Sequence, residues 1–329
     1  MGELLPEMNE TREDLPVQRP GGETKEIFFL IVLTVGLFVS MLFVPLVGFF
    51  FSILTPAPTA LAMVRLGGPR AWIVPGLSAV SGAAILFALR VPESVPYLFG
   101  LIGMGAVIGY GFRRRWPAGK TVGLSSLIVI GIAAFFALVA FIQTSGQLVH
   151  LIEQDLRHVI TTAMKQFSSG SSVKTEVMEK GLLEMVPLVV SMMPGILISC
   201  TLVVSWVNLL VCRRYAGGAA AEAFEQESLS LWKSPEHLVW FAIAGGLMLL
   251  LPWGPAKLLG SNLILVMGTI YFFQGLAIVS YYFEKWRVPL FVKGFVYAVL
   301  FLERMASMAV AVLGLFDVWF DFRKHNKQA

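Results

Sequence analysis

The sequence predicts an all-α fold, a polytopic bundle of transmembrane helices with about 8–10 membrane segments. Of its 329 residues, 57% are hydrophobic and 14% are charged, and the mean hydropathy is +0.76. In ordinary soluble domains roughly a quarter of all residues are charged. Several uncharged apolar stretches also reach the ~20 residues that a helix needs to cross a bilayer. We therefore expect the lipid bilayer, and not nucleic acid, as the partner that most of this surface contacts.

The opening of the chain is interrupted where a membrane helix should be continuous. Residues 27–43 are apolar, Pro45 then breaks the pattern, and Pro56 and Pro58 break it again. The apolar piece that follows, residues 59–64, is too short to cross a bilayer alone. At membrane depth a broken backbone is either buried in protein or lines a cavity, and transporters place binding sites at such breaks. The sequence therefore predicts a broken, short second helix with Pro45, Pro56 and Pro58 as candidate substrate-binding residues.

Composition divides the chain into five parts. An acidic, polar leader predicted to be disordered is followed by an N-terminal membrane bundle, an extramembrane segment, a C-terminal membrane bundle and a basic tail. In the extramembrane segment apolar residues recur every three or four positions, which predicts an amphipathic helix. Its apolar positions are Leu148, Ile152, Leu156, Val159 and Ala163. The five parts are residues 1–26, 27–142, 143–184, 185–322 and 323–329.

Basic residues fall in clusters between the apolar stretches, and this distribution predicts the topology. If residues 27–64 cross the membrane and return, most of the clusters lie on the side of the amino terminus. We therefore expect a cytoplasmic amino terminus and an external 143–184 segment. The last apolar stretch, residues 289–320, is interrupted by Lys293, Glu303 and Arg304, and its pattern fits either one crossing or two.

Three polar side chains within apolar stretches are further candidates for substrate binding. Tyr271 and Gln274 lie three residues apart, hence on one helical face, and Asn208 lies near the end of its span. Hydrogen bonding between helices is the competing interpretation. The charged groups Lys293, Glu303, Arg304 and Asp317 are costly in a membrane and are functional candidates unless they lie at helix ends. Since the sequence contains no phosphate loop, zinc-protease helix or serine nucleophile elbow, we expect no enzyme activity, no cofactor and no metal.

Two local patterns resemble known families. Phe43-Val44-Pro45, Pro56-Ala57-Pro58 and Gly68-Pro69 follow the order of breaks in the substrate-binding S components of energy-coupling-factor vitamin transporters. Residues 313–324, LGLFDVWFDFRK, are similar to the end of the YybS-like family, a bacterial membrane family of unknown function that is held to be distantly related to the S components. The resemblance implies a bacterial cytoplasmic membrane location, a cavity for a small-molecule ligand and a coupling subunit as partner.

Two functions therefore compete at this point. The first is a membrane protein that binds a small solute in an S-component-like cavity for uptake or sensing, which the broken opening favours. The second is a non-catalytic envelope scaffold or assembly factor that docks an envelope protein through residues 143–184, which the amphipathic segment favours.

Overall fold

The computed structural model describes residues 20–66, 68–167, 173–216 and 229–323, and all regular elements in these ranges are helical. Short 3₁₀ turns lie at Pro69–Trp72, Pro92–Ser94 and Leu229–Leu231. The α-helices, numbered in chain order, are α1 (Pro20–Phe43), α2 (Pro45–Ser52), α3 (Pro56–Arg65), α4 (Ile73–Ala88), α5 (Val95–Arg113), α6 (Ala118–Gln143), α7 (Leu148–Phe167), α8 (Val173–Tyr215), α9 (Leu238–Leu250), α10 (Gly254–Lys285), α11 (Leu290–Leu302) and α12 (Arg304–Phe320).

The described residues contain seven helical stretches long and apolar enough to cross a membrane, and eight if the bent pair α11–α12 is one span. Helix α9 is apolar but shorter. The prediction of a polytopic helical membrane protein is therefore confirmed. The seven stretches are Glu23–Phe43, Val47–Arg65, Pro69–Ala88, Pro92–Arg113, Ala118–Gln143, Val177–Tyr215 and Gly254–Lys285.

The second helix is broken, as the prolines predicted. Pro45 and Pro56 begin α2 and α3, where a residue without an N–H group is tolerated because the first helical turn leaves that donor unpaired. Helix α2 folds back on α1, and a Cβ at Gly48 would overlap the Ser40 carbonyl. Helix α1 itself begins at Pro20, inside the segment predicted as a leader, while residues 1–19 lie outside the described ranges.

The predicted boundary at residue 184 falls within one continuous helix, because α8 runs from Val173 to Tyr215 through Pro194. In a regular helix the Gly195 N–H would bond to the Ser191 carbonyl, four residues earlier. Here the Asn262 side chain of α10 lies between these two groups. Its Oδ1 accepts from the Gly195 N–H at 2.6 Å, and its Nδ2 donates to the Ser191 carbonyl at 2.9 Å. A neighbouring helix therefore satisfies the backbone next to the proline.

Helix α7 is the amphipathic helix predicted in the 143–184 segment, and it packs against α8. Its contact face differs from the predicted one at one position. Val159 is 60% exposed, whereas Ile160 is half-buried and Met164 is buried. Residues 168–172 of the segment lie outside the described ranges.

The bent pair α11–α12 enters and leaves the bundle at the same end of α10. Helix α11 starts at Leu290, shortly after α10 ends, and runs back along it until Phe301 contacts Phe272, with ring centroids 5.4 Å apart. The chain then bends by 99° at Glu303. Helix α12 returns, and the Tyr282 hydroxyl donates to the Phe322 carbonyl at 3.0 Å. The last apolar stretch therefore starts and ends near the same end of α10.

The basic clusters converge at one end of the bundle, which we call the basic end. There an Arg65 guanidinium N–H donates to the Tyr215 carbonyl, which joins the ends of α3 and α8. The Ser230 hydroxyl bonds to Glu284 near the end of α10, and Arg323 after α12 donates to the Ser230 carbonyl. The basic end is the one predicted to be cytoplasmic.

Candidate functional site

A cavity of about 660 Å³ lies at the basic end. It is lined by the first turns of α6, the C-terminal half of α8, the middle of α10 and residues 231–238 up to the start of α9. Its described lining residues are Pro117, Gly119, Lys120, Val122, Gly123, Leu202, Trp206, Leu231, Trp232, Lys233, Pro235, Leu238, Ile270 and Phe273.

Three aromatic rings form the inner wall of this cavity. Trp206 of α8 stacks on Phe273 of α10, with centroids 5.0 Å apart and planes inclined by 17°. Trp232 approaches Trp206 edge-on at 4.8 Å. The backbone of α6 comes close to the same ring, since a Cβ at Gly119 would lie 3.1 Å from the Trp232 indole nitrogen. Rings from three separate elements therefore meet at the inner wall.

Two lysines lie on the same lining. The Lys120 ammonium sits 4.6 Å from the centroid of the Trp116 ring, a cation–π contact at the start of α6. The Lys233 ammonium forms an exposed ion pair with Asp321, 2.6 Å from its Oδ1. The cavity thus combines an aromatic interior with positive charge.

A buried polar network, which we call the clamp, holds the cavity wall in place; its members are Ser234, Gln274, Asp317 and Arg323. Gln274 Oε1 accepts from the Ser234 hydroxyl at 2.5 Å and from its backbone N–H at 3.1 Å. Gln274 Nε2 donates to Asp317 Oδ2 at 3.0 Å, and the same oxygen accepts from Arg323 Nη2 at 2.5 Å. The clamp therefore joins the 229–235 segment to α10 and α12.

The charges of the clamp are paired inside the protein. The Asp317 and Arg323 side chains are 0% and 1% exposed. Arg323 also donates to the carbonyl of Trp232 at 2.8 Å, directly behind the aromatic wall. Asp317 Oδ1 accepts the Phe322 N–H at 2.9 Å, which fixes the turn after α12. A buried charge is costly unless it is paired and hydrogen-bonded, and here the two charges are paired with each other.

The candidate prolines at the chain opening lie in a closely packed region. Pro56 and Pro58 are buried in α3, and α3 packs against α5. A Cβ at Gly105 of α5 would overlap the Pro56 carbonyl, so the two backbones are in direct contact. Pro45 begins α2, and its side chain is not described. A ligand at these prolines stays a prediction.

Asn208, in contrast, contacts the break in the second helix. Its Nδ2 donates to the carbonyl of Ile53, in the turn between α2 and α3, at 2.7 Å and to the Val204 carbonyl of its own helix at 2.8 Å. The structure thus brings Asn208 to the chain opening, where it joins α8 to the broken helix.

Tyr271 and Gln274 face α12 and the clamp. Gln274 is engaged by Ser234 and Asp317, as the competing interpretation of hydrogen bonding between helices expects. Tyr271 is buried, and its carbonyl lies against Gly314 of α12. Their neighbours Ile270 and Phe273 line the cavity instead.

The charged residues of the last stretch lie where water or a helix end is available. Glu303 accepts the Ala306 N–H at 2.6 Å and so caps α12. Arg304 is exposed, and Lys293 is half-buried. In the part of the chain that the structure describes, His, Cys, Asp and Glu form no group of three or more that could hold a metal ion.

Sequence reasoning missed the cavity residues. Trp206 and Phe273 look like ordinary apolar residues of long spans. One signal was present in the connecting segment, where Trp232-Lys233-Ser234-Pro235 places a large ring and a cation beside a proline turn. An aromatic residue next to a lysine is typical of a membrane interface, which is a second reason why it did not indicate a cavity.

Comparison with known proteins places these elements within a family. A family model described as a predicted membrane protein, DUF2232, matches residues 32–318, which include α6, α8, α10 and the connecting segment. No curated protein and no solved structure matches the chain.

Proposed function

The chain belongs to the DUF2232 family of predicted membrane proteins, and on that premise we propose that it binds a small solute in the cavity at the basic end, for uptake or sensing. The observation that carries the proposal is the aromatic wall of Trp206, Trp232 and Phe273. The sequence predicted solute binding at the broken second helix; the proposal keeps the solute and moves the site to this cavity.

The size and lining of the cavity support a small ligand. Ligand sites typically measure about 300–1,000 Å³ and have mostly apolar walls with few polar groups. The stacked pair Trp206–Phe273 offers ring faces to a planar or aliphatic group, and such contacts bury large area with little loss of side-chain freedom. The clamp keeps the third ring in position and so pre-organises the site.

The test is a molecule that co-purifies with the protein. Gly123 lines the cavity and has no atom within 4 Å of an added Cβ, so Gly123→Leu fills the site without removing a contact. Gly131, on the same helix, also has open space around an added Cβ, and Gly131→Leu is the matched control. Organic extracts of the three purified proteins are compared by mass spectrometry.

We expect a compound in the wild-type and Gly131→Leu extracts that is depleted by about tenfold or more with Gly123→Leu, the loss expected when an added side chain overpacks the site. Equal amounts of every extracted compound in all three proteins would exclude the cavity as its binding site.

The relation to S components belongs to the same proposal. The order of breaks in α1–α4 and the YybS-like ending support it, and it implies a coupling subunit as partner and a bacterial cytoplasmic membrane with the basic end inside. The sidedness has its own test in cells. In a background lacking Cys200 and Cys212, single cysteines at exposed Glu236 and exposed Gln154 should label from opposite faces of the membrane.

A scaffold role is the second candidate, and one observation favours it. Beside the face that packs on α8, α7 carries the exposed apolar residues Val149 and Val159. A photo-crosslinking residue at Val159 should capture a protein partner if α7 is a docking helix, whereas one at Met164 should crosslink only within the chain. Adducts with lipid alone at Val159 would remove the support for this role.

A further inference from the structure

The charge of the cavity lining has one sign. Among the described residues that line it, the charged side chains are Lys120 and Lys233, and the others are apolar, aromatic, glycine or proline. A cavity with an aromatic interior and cations on its lining has two different chemistries, and a ligand that satisfies both must itself have two parts.

Lys120 lies where other positive charge accumulates. It belongs to the first turn of α6, which begins after Pro117 without a side-chain cap. The backbone N–H of Thr121 bonds to the Pro117 carbonyl at 3.0 Å. The N–H groups that have no partner within the helix are therefore those of residues 118–120. Gly119 and Lys120 both line the cavity. Their N–H groups and the helix dipole add to the attraction of the ammonium for an anion.

Lys233 lies on the connecting segment and can share its charge with a ligand. Its ammonium is bonded to Asp321, and both side chains of this pair are about half exposed. Such exposed pairs contribute little to stability, so an entering anion competes with Asp321 at small cost. The buried pair Asp317–Arg323, in contrast, keeps its charge within the clamp.

We infer that the ligand is an amphiphile, in which an anionic phosphate or carboxylate group binds at Lys120 and Lys233 and an apolar body contacts Trp206 and Phe273. This inference rests on the proposed function and names the ligand class for the same cavity. Two sources have this chemistry: a membrane lipid with an anionic headgroup, and a water-soluble anion that carries an aromatic or aliphatic body.

The experiment measures thermal stabilisation of the purified protein by four probes. They are dihexanoyl phosphatidic acid, dihexanoyl phosphatidylcholine, phenyl phosphate and inorganic phosphate. Each probe is titrated against wild type, Lys120→Gln, Lys257→Gln and Gly123→Leu, and the two lipids are kept below their critical micelle concentrations. Lys257 is an exposed lysine on the first turn of α10, away from the cavity lining, and serves as the control.

We expect phosphatidic acid or phenyl phosphate to bind wild type about tenfold more tightly than phosphatidylcholine and than inorganic phosphate, since charge and body both contribute. Lys120→Gln should lose about tenfold and Lys257→Gln should lose nothing. A lipid source is supported if phosphatidic acid is the tighter of the two, and a soluble source if phenyl phosphate is. Because Lys120 is exposed, Lys120→Gln is expected to fold, and Lys120→Arg should retain the binding.

The outcomes separate the two proposals. If Gly123→Leu weakens binding of both phosphatidic acid and phosphatidylcholine, while wild type binds them equally, the cavity is real and the anionic inference is wrong. If inorganic phosphate binds as tightly as the amphiphiles, the apolar body has no role and the inference is also wrong. If Gly123→Leu binds every probe as wild type does, the proposed function itself fails.

Discussion

Two helix interfaces of this bundle use opposite means to pack. Where α3 meets α5, Gly105 and Gly109 allow backbone to touch backbone, and a Cβ at either position would overlap atoms of α3. Where α8 meets α10 at the basic end, the Trp206 and Phe273 rings stack on each other, and a cavity lies beside them. The first interface is therefore formed by backbone contact, and the second by contact between aromatic rings beside a cavity.

This difference shows that a proline break in a membrane helix does not by itself indicate a binding cavity. The prolines of the chain opening free backbone groups, and these are used inside the protein: the Ile53 carbonyl accepts from Asn208. Small residues on the facing helix then allow close approach. The cavity lies instead beside rings that come from distant segments of the chain.

The largest effect is expected at the clamp that supports the open interface. Asp317→Ala leaves the buried Arg323 guanidinium without its carboxylate, and removing one partner of a buried pair costs about 3–5 kcal/mol. Detergent-unfolding titrations of the purified protein measure this. Glu23→Gln, which removes the partner of the exposed Arg70, is the control and should cost about 0–1 kcal/mol. Equal costs for the two variants would mean that the clamp does not stabilise the basic end.

A smaller loss is expected at the closed interface. Gly105→Ala places a methyl group against the Pro56 carbonyl and the Thr59 hydroxyl, and overpacking of this kind costs about 1–3 kcal/mol. Gly131→Ala, with open space around the new methyl group, should be neutral or slightly stabilising because alanine favours the helix. A neutral Gly105→Ala would show that α3 and α5 are not in backbone contact.

The smallest effect separates the two regions by function. Pro58→Ala in the first turn of α3 should lower stability by about 1–2 kcal/mol, since it removes two buried CH2 groups and also restores freedom to the unfolded chain. It should leave the co-purified solute of the wild-type protein unchanged. Loss of that solute with Pro58→Ala, but not with Gly123→Leu, would return the site to the broken helix.

The sequence predicted what short-range patterns determine. Long apolar runs indicated the helices, Pro45 and Pro56 indicated the broken second helix, and the spacing from Leu148 onwards indicated α7. It did not indicate that Asn262 would bridge the backbone beside Pro194, since the amide and the proline lie in different helices. The backbone groups beside Pro194 in α8 are satisfied by that tertiary contact.

The candidate site was predicted less well, for a physical reason. Gln274 and Asp317 were recognised as polar groups in apolar surroundings, but hydrogen-bond partners decide whether such groups are free for a ligand. Both are engaged in the clamp. Arg323 has two acids close to it in sequence, Asp317 in the last turn of α12 and Asp321 directly after α12. Asp321 adopts a left-handed backbone with φ of 43°, and this turn places Arg323 against Asp317 and Asp321 against Lys233. Residue spacing alone predicts neither of these two ion pairs.

The central claim is that a small molecule occupies the cavity at the basic end, and an electron cryomicroscopy map of the protein purified from its native membrane tests it directly. The account predicts density that belongs to no residue of the chain between Trp206, Trp232 and Phe273, with one end directed at Lys120. It also predicts continuous protein density where Gly105 meets Pro56. Rings that close the cavity, together with a bound molecule between Pro45 and Pro58, would contradict the account.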